Sequence, residues 1–112
     1  MGATIDVLSG TLEMLVLKTL SRGEALHGFE ILRWIRDTTD GALVIEEGAL
    51  YPALHRLERR GWLASEWGVS EKGRRAKYYG ITAEGRSGLA AEESRWTRYV
   101  RAWDQIAAAV RP

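Results

Sequence analysis

The feature that most constrains this chain is a long apolar repeat in its C-terminal quarter. Between residues 89 and 110, apolar or aromatic side chains recur alternately three and four positions apart, with a single acidic interruption. The seam consists of Leu89, Glu92, Trp96, Tyr99, Trp103, Ile106 and Val110. This spacing predicts one amphipathic helix with the a/d surface of a coiled coil. Thr82 is a suitable N-cap, so we expect the helix to run from there to about Val110.

This predicted helix is long for the chain that contains it. About 27 residues of α-helix span ~40 Å, whereas 112 residues form one domain. We therefore expect a main domain over residues 1–82 and a C-terminal dimerisation helix over residues 83–112, whose far end packs on a second copy. The alternative is a helix folded back on its own core, which would use the same seam.

A first helix is predicted near the N-terminus. Leu8, Leu12 and Leu15 share one face, Ser9 is a plausible N-cap, and Gly23 is a plausible end. Most other positions of this helix are apolar too, which indicates burial on more than one side. In so small a domain, one of those sides is a candidate subunit interface.

A second helix is predicted from about His27 to Asp37, and we expect His27 to cap it and not to act as a ligand. Residues 38–41 are typical of a turn, and residues 42–45 of a short strand.

The third predicted helix has a clear amphipathic pattern. Leu50, Leu54 and Leu57, together with Ala53, follow the i, i+3, i+4, i+7 rule. Gly61 suits the C-terminal end, and a proline at position 52 prevents the helix from starting much before residue 48. The opposite stripe consists of Gly48, Pro52, His55 and Arg59, flanked by Tyr51 and Arg56.

The charge of the chain is concentrated at one place. The chain has 16 basic and 15 acidic residues, a formal net charge of +1. Four cations nevertheless fall within six residues with no acid among them: Lys72, Arg74, Arg75 and Lys77. They lie at the tip of a predicted β-hairpin with strands at 62–69 and 76–82. A localised basic patch on a nearly neutral protein indicates contact with a polyanion, although a solvated turn is the simpler alternative.

The predicted order of three helices, a hairpin and a last helix is that of a winged helix-turn-helix, a mainly α fold with a small β-hairpin. The DNA major groove admits the third helix, and a basic hairpin reaches the adjacent backbone. We expect Tyr51 to contact phosphate, and His55 and Arg56 to reach base edges. Glu46 and Glu47 argue mildly against DNA, because acids near the groove repel phosphates. A protein-interaction module without sequence-specific DNA binding is therefore the alternative.

The sequence resembles the PadR family of transcriptional regulators over essentially its whole length. The strongest resemblance is the segment from Glu46 to Glu58. Six shorter segments also resemble the family, and they occur in the same order along the chain: Leu8–Leu12, Leu26–Gly28, Gly61–Trp62, Glu66–Gly68, Arg74–Tyr79 and Thr82–Gly85. The resemblance implies a homodimeric repressor of two-fold-symmetric operators on double-stranded DNA, often released by a small molecule.

The resemblance also implies roles for particular residues. Tyr51, Pro52, His55 and Arg56 lie where the family presents its reading helix, and the four clustered cations lie in its wing. The first and last helices build the dimer. A tryptophan on the last helix of some members forms a flat drug pocket at the dimer centre. Trp96 matches it, with Leu12 and Val100 beside it, for an aromatic or drug-like effector. The alternative for Trp96 is simple interface packing, and Trp103 is an addition that would narrow the pocket.

Several other functions are unsupported by the sequence. The chain has no cysteine, and its two histidines lie far apart, so we expect no metal site and no cofactor. No nucleophile elbow or phosphate-cradling glycine loop occurs, so we expect no enzyme. The longest apolar run is Met14–Leu17, and residues 1–6 have no basic region. We therefore expect no membrane span, no signal peptide and a cytoplasmic location.

Overall fold

The computed structural model describes residues 4–8 and 10–110, and it contains four helices and one small sheet among them. The elements are α1 (Leu12–Leu20), β1 (Leu26–His27), α2 (Gly28–Thr38), α3 (Glu47–Arg59), β2 (Leu63–Val69), β3 (Arg75–Ile81) and α4 (Ala83–Ala109). The predicted mainly α fold with a β-hairpin is confirmed, as is the order of its parts. The predicted cap Ser9 lies outside the described residues.

The sheet is antiparallel with strand order β1-β3-β2. Strands β2 and β3 form the predicted hairpin, which pairs Leu63 with Ile81 at its base and Val69 with Arg75 near its tip. The two-residue strand β1 pairs with β3 and was not predicted, because two residues show no alternation.

The strand predicted at residues 42–45 is wrong. Within the described chain, only an isolated bridge joins Leu43 to Ile5. The two residues that precede the segment, Asp40 and Gly41, have positive φ and turn the backbone. Among the described residues, Thr4 and Ile5 lie beside this turn and segment, with hydrogen bonds to the carbonyls of Gly41 and Ala42, and this contact does not extend into a strand pair.

The helix ends follow the capping residues. His27 Nδ1 accepts a hydrogen bond from the Glu30 amide (3.3 Å), and the Glu30 carboxylate accepts one from the His27 amide (3.1 Å), which makes a complete capping box. Thr82 Oγ1 accepts from the Gly85 amide at 3.0 Å and caps α4. Gly61, with φ of 83°, ends α3 as predicted. Helix α1 begins only at Leu12, so Leu8 precedes the helix instead of lying on its face.

The core lies between the first three helices and the sheet. The predicted inward residues of α3 are buried, since Leu50, Ala53, Leu54 and Leu57 have no exposed surface. They pack with buried side chains from every other major element: Val16, Leu17, Leu20, Ile31, Ile35, Leu63, Tyr79 and Leu89. Burial of the apolar stripe fixes which face of α3 points outward.

Helix α4 begins on the core and then leaves it. A methyl group at Gly88 would collide with the Trp62 indole, so glycine at this position lets the first turns pack closely. Lys18 of α1 pairs with Glu93 at 2.9 Å. Leu89 is only 4% exposed and lies in the chain's own core, which corrects its expected place on the dimer face. From Ser94 to Val110 every residue is exposed, so the outer half is not folded back on the domain.

Candidate nucleic-acid interface

The outward face of α3 is the one that the leucine pattern predicted. Gly48, Tyr51, Pro52, His55, Arg56 and Arg59 are all exposed along it. Because the opposite face is locked in the core, the backbone of this face keeps a fixed orientation. An exposed and rigidly held helix face is what insertion into a major groove requires.

Tyr51 lies against the start of α2. An ideal Cβ built on Gly28 would fall 2.6 Å from the Tyr51 hydroxyl oxygen and 2.8 Å from Cζ, so a side chain at Gly28 would displace the phenol. The ring nevertheless stays partly exposed. Glycine at position 28 thus lets α3 place a hydrogen-bonding hydroxyl beside the first turn of α2, where free amide groups favour an anion.

A cleft of about 680 Å³ separates α3 from the wing, which is the β2–β3 hairpin with its tip at residues 70–74. Its lining is mostly aromatic and basic, with one acidic residue, Glu71. The aromatic residues are Phe29, Tyr51, Trp67 and Tyr79, and the basic ones are Arg33, Lys72, Arg74, Arg75 and Lys77, with His27 and His55 beside them. The cleft therefore brings the four predicted wing cations together with two predicted residues of α3, Tyr51 and His55, whereas Pro52, Arg56 and Arg59 do not line it.

The wing tip is a tight turn that presents cations. The Ser70 amide donates to the Arg74 carbonyl (2.7 Å), and Gly73, with φ of 73°, donates to the Ser70 carbonyl (2.8 Å). Lys72 and Arg74 are exposed on this turn. The Arg75 guanidinium lies 4.3 Å from the centre of the Trp67 ring, a cation–π contact that holds the charge at the cleft.

Several residues of the cleft were not predicted from the sequence, among them Trp67, Phe29 and Arg33. Trp67 lies in the predicted hairpin and is 57% exposed. Phe29 is also mostly exposed, with the Arg33 guanidinium 5.6 Å from its ring centre. Their nearness to α3 depends on the packing of α2 and the wing, which no local sequence pattern reports.

Lys77 is not a free cation. Its Nζ lies 3.2 Å from Glu58 Oε1, and the other oxygen of that carboxylate accepts a short hydrogen bond from the Ser65 hydroxyl. The Ser65 hydrogen bond is the main cause of a lowered Glu58 pKa, with Lys77 adding to it against the effect of burial. The Lys77 charge is thus largely compensated within the chain.

Arg56 is also paired. Its Nε lies 2.7 Å from Glu13 Oε1 on α1, and Arg60 Nη2 lies 3.4 Å from Glu13 Oε2. Of the six cations predicted to contact DNA, the other four form no ion pair among the described residues. They are Arg59, Lys72, Arg74 and Arg75.

The predicted dimer face of α4 is exposed beyond Leu89. Tyr99 is 70% exposed, and the remaining members are also open to solvent: Trp96, Trp103, Ile106 and Val110. The rings of Trp96 and Tyr99 stack with centroids 6.4 Å apart. Of the other residues expected at the interface or effector pocket, Leu8 and Val100 are exposed, whereas Leu12 and Leu15 are half-buried against the core.

No helix among residues 4–8 and 10–110 is both long and apolar enough to cross a membrane. The same residues contain no cluster of three side chains with metal-binding chemistry.

Sequence comparison agrees with this geometry. The model of the "Transcriptional regulator PadR-like family" matches residues 16–91, which include α3 and the wing. The chain belongs to the PadR-like family. Its members are transcriptional regulators and not enzymes, and the expected winged helix with a long C-terminal helix is their fold.

Solved structures resemble the protein along most of its length. A transcriptional regulator from Clostridium thermocellum is 33% identical with a TM-score of 0.78, and the match covers 86% of this chain and 92% of that one. A PadR family regulator from Eggerthella lenta is 34% identical with a TM-score of 0.78, covering 90% and 85%. A Streptococcus mutans protein is 29% identical with a TM-score of 0.79, covering 98% and 99%.

Proposed function

We propose that this PadR-like regulator is a homodimeric, sequence-specific repressor that binds a two-fold-symmetric operator on double-stranded DNA. One observation supports this most: Tyr51 and His55 on the exposed face of α3 line the same cleft as Lys72, Arg74 and Arg75 of the wing, which form no ion pair among the described residues. A helix and a basic hairpin on two sides of one cleft match the groove and the phosphate backbone of a duplex.

The proposed contacts divide into two groups. Lys72, Arg74 and Arg75 bind phosphates and set the register, because their charges are exposed and have no acidic partner in the described chain. On α3, His55 and Arg59 face the base edges, with Pro52 about one turn before His55 and Tyr51 on a phosphate beside α2. Base contacts discriminate between sequences, while phosphate contacts supply most of the affinity.

We propose that the exposed face of α4 joins two subunits. Trp96, Tyr99, Trp103, Ile106 and Val110 form an apolar stripe on a projecting helix, which water solvates poorly. Leu8, Leu12 and Leu15 are the proposed contributions from the N-terminal side. Pairing of residues 83–112 would set the two reading helices about one duplex turn apart, ~34 Å, and would explain a palindromic operator.

Release of the repressor is proposed to use the same interface. Trp96 with Leu12 and Val100 would contact a planar aromatic effector between the subunits, and the exposed stacking of Trp96 on Tyr99 supports a flat apolar surface there. A ligand that prefers one angle between subunits changes the spacing of the reading helices and so the affinity for DNA. Trp103, one heptad later, would limit the size of the effector.

The wing provides the test of DNA binding. We expect the affinity for a duplex to fall steeply with salt, and the double variant Arg74→Ala, Arg75→Ala to reduce the log–log slope by about 1.8, or 0.9 for each lost phosphate contact. The matched control is Arg95→Ala, Arg98→Ala on α4, which removes the same charge away from the cleft. Wild-type affinity and slope in the wing variant would favour the alternative, a protein-interaction module.

A further inference from the structure

One carboxylate of α1 holds Arg56 of α3 and Arg60, the residue that follows the end of α3. The Glu13 side chain, 25% exposed, lies 2.7 Å from Arg56 Nε and 3.4 Å from Arg60 Nη2. Arg60 has a second contact, since its guanidinium lies 4.7 Å from the centre of the Trp62 ring. For Arg56, the Glu13 carboxylate is the single charged partner within the described residues.

An acidic residue at this position works against binding to a polyanion. Partly exposed ion pairs contribute little to folding stability, so stability alone gives a weak reason for this arrangement. By contrast, the Glu13–Arg56 ion pair changes which cations are free to contact DNA of any sequence. Arg56 must leave a well-formed carboxylate contact before it can bind a phosphate, and that exchange of one anion for another gains little.

We propose that Glu13 is a positioning residue that sets specificity: it withholds Arg56, and to a smaller extent Arg60, from non-specific phosphate contact. Arg56 then exchanges Glu13 for DNA only where a base offers more than a phosphate does, as guanine O6 and N7 do for a bidentate guanidinium. The inference rests on the proposed DNA-binding function. Glu13 thereby lowers the affinity for random DNA and leaves the affinity for the operator nearly unchanged. Specificity depends on the ratio of these two affinities.

The test is Glu13→Gln, which removes the charge and keeps the shape of the side chain. Binding to a random-sequence duplex is measured by fluorescence anisotropy between about 50 and 200 mM salt. We expect a log–log slope steeper by about 0.9 for each released arginine, and non-specific binding tighter by up to about eightfold per arginine near 0.1 M salt. Affinity for a selected operator rises less, so the specificity ratio falls.

Two further variants separate this role from a change of net charge. Asp37→Asn removes one negative charge from the far end of α2, where Asp37 pairs with Arg36 at 3.0 Å, and it should leave the slope unchanged. In the double variant Glu13→Gln, Arg56→Gln, most of the increase in the log–log salt slope caused by Glu13→Gln should disappear. By itself, Arg56→Gln should weaken operator binding.

The outcomes distinguish this inference from the function on which it depends. If Glu13→Gln binds random DNA with the wild-type slope and affinity, while the wild type still binds DNA through its wing, the role of Glu13 is overturned and the function stands. If the wild type shows no wing-dependent binding, both are overturned. A steeper slope in Glu13→Gln that Arg56→Gln reverses supports the inference.

Discussion

Lys77 Nζ lies 3.2 Å from Glu58 Oε1, and this ion pair joins the wing to the reading helix. Glu58 also accepts a hydrogen bond from Ser65 on the other strand of the wing. A single α3 carboxylate therefore contacts both strands of the hairpin. This contact is thus one of the links that hold the hairpin against α3 beside the cleft.

The lowered pKa of Glu58 predicts a pH-dependent loss of stability. A carboxyl whose pKa is lower in the folded state stabilises the fold above its unfolded pKa, about 4.3, and loses that contribution as pH falls through the folded value. Glu58→Gln should reduce the free energy of unfolding by about 1 kcal/mol at neutral pH, and the difference should shrink below about pH 4.3.

Urea unfolding of both proteins from about pH 7 to about pH 3 measures this difference. Glu66→Gln, at an exposed position of β2 next to Ser65, is the matched control for removal of one negative charge. If the difference in unfolding free energy between wild type and Glu58→Gln stays constant down to the lowest pH, the stabilising role of the Glu58 carboxylate is contradicted.

The contact of Tyr51 with Gly28 predicts a defect in DNA binding with little loss of stability. Gly28→Ala should push the phenol aside, because the new Cβ would occupy its place. Stability should change by less than about 1 kcal/mol, since Tyr51 is at the surface and free to move. Affinity for DNA should fall about tenfold, the effect of one charge-assisted hydrogen bond.

A double-mutant cycle checks this origin. Gly28→Ala and Tyr51→Ala should weaken binding by similar factors, and combining them should add little. Gly80→Ala is the control, because a Cβ there meets no atom within 4 Å. Additive losses would mean that Gly28 acts independently of the phenol.

The sequence predicted those parts of the fold that depend on local patterns. The spacing of Leu50, Leu54 and Leu57 fixes the outward stripe of α3, and the capping residues His27 and Thr82 fix where α2 and α4 begin. Strand β1 escaped prediction, because its two residues gain their conformation from pairing with β3.

The electrostatics of the site could not be predicted in the same way. Counting cations treats Arg56 and Lys77 as free, whereas Glu13 lies 43 residues from Arg56 and Glu58 lies 19 residues from Lys77. Such pairs form only after α1, α3 and the wing are packed. Leu89 illustrates the same limit, because the heptad pattern cannot tell a residue of the chain's own core from one that faces a partner.

The exposed stripe of α4 predicts that one charge breaks the dimer. Trp103→Glu should convert a micromolar dimer into a folded monomer, because a buried unpaired carboxylate is costly. Arg101 lies on the opposite face of α4, so Arg101→Glu should leave the dimer intact. Sedimentation equilibrium measures both, and a Trp103→Glu protein that remains dimeric would contradict the proposed interface.

Trp96 predicts the binding of planar aromatic compounds. A fluorescent planar dye should bind the dimer, and Trp96→Ala should weaken that binding about tenfold or more, as loss of a central aromatic contact does. Trp67→Ala is the matched control, because Trp67 is an exposed tryptophan in the wing. If Trp67→Ala lost the dye and Trp96→Ala kept it, the effector site would lie in the cleft instead.

The central claim is that two copies of this chain read a symmetric DNA sequence, and selection from a random duplex library tests it most directly. We predict a palindromic consensus whose half-sites are centred about one helical turn apart, ~34 Å, and its loss when the Trp103→Glu protein is used. Enrichment of no sequence, or of a single half-site without symmetry, would contradict the claim.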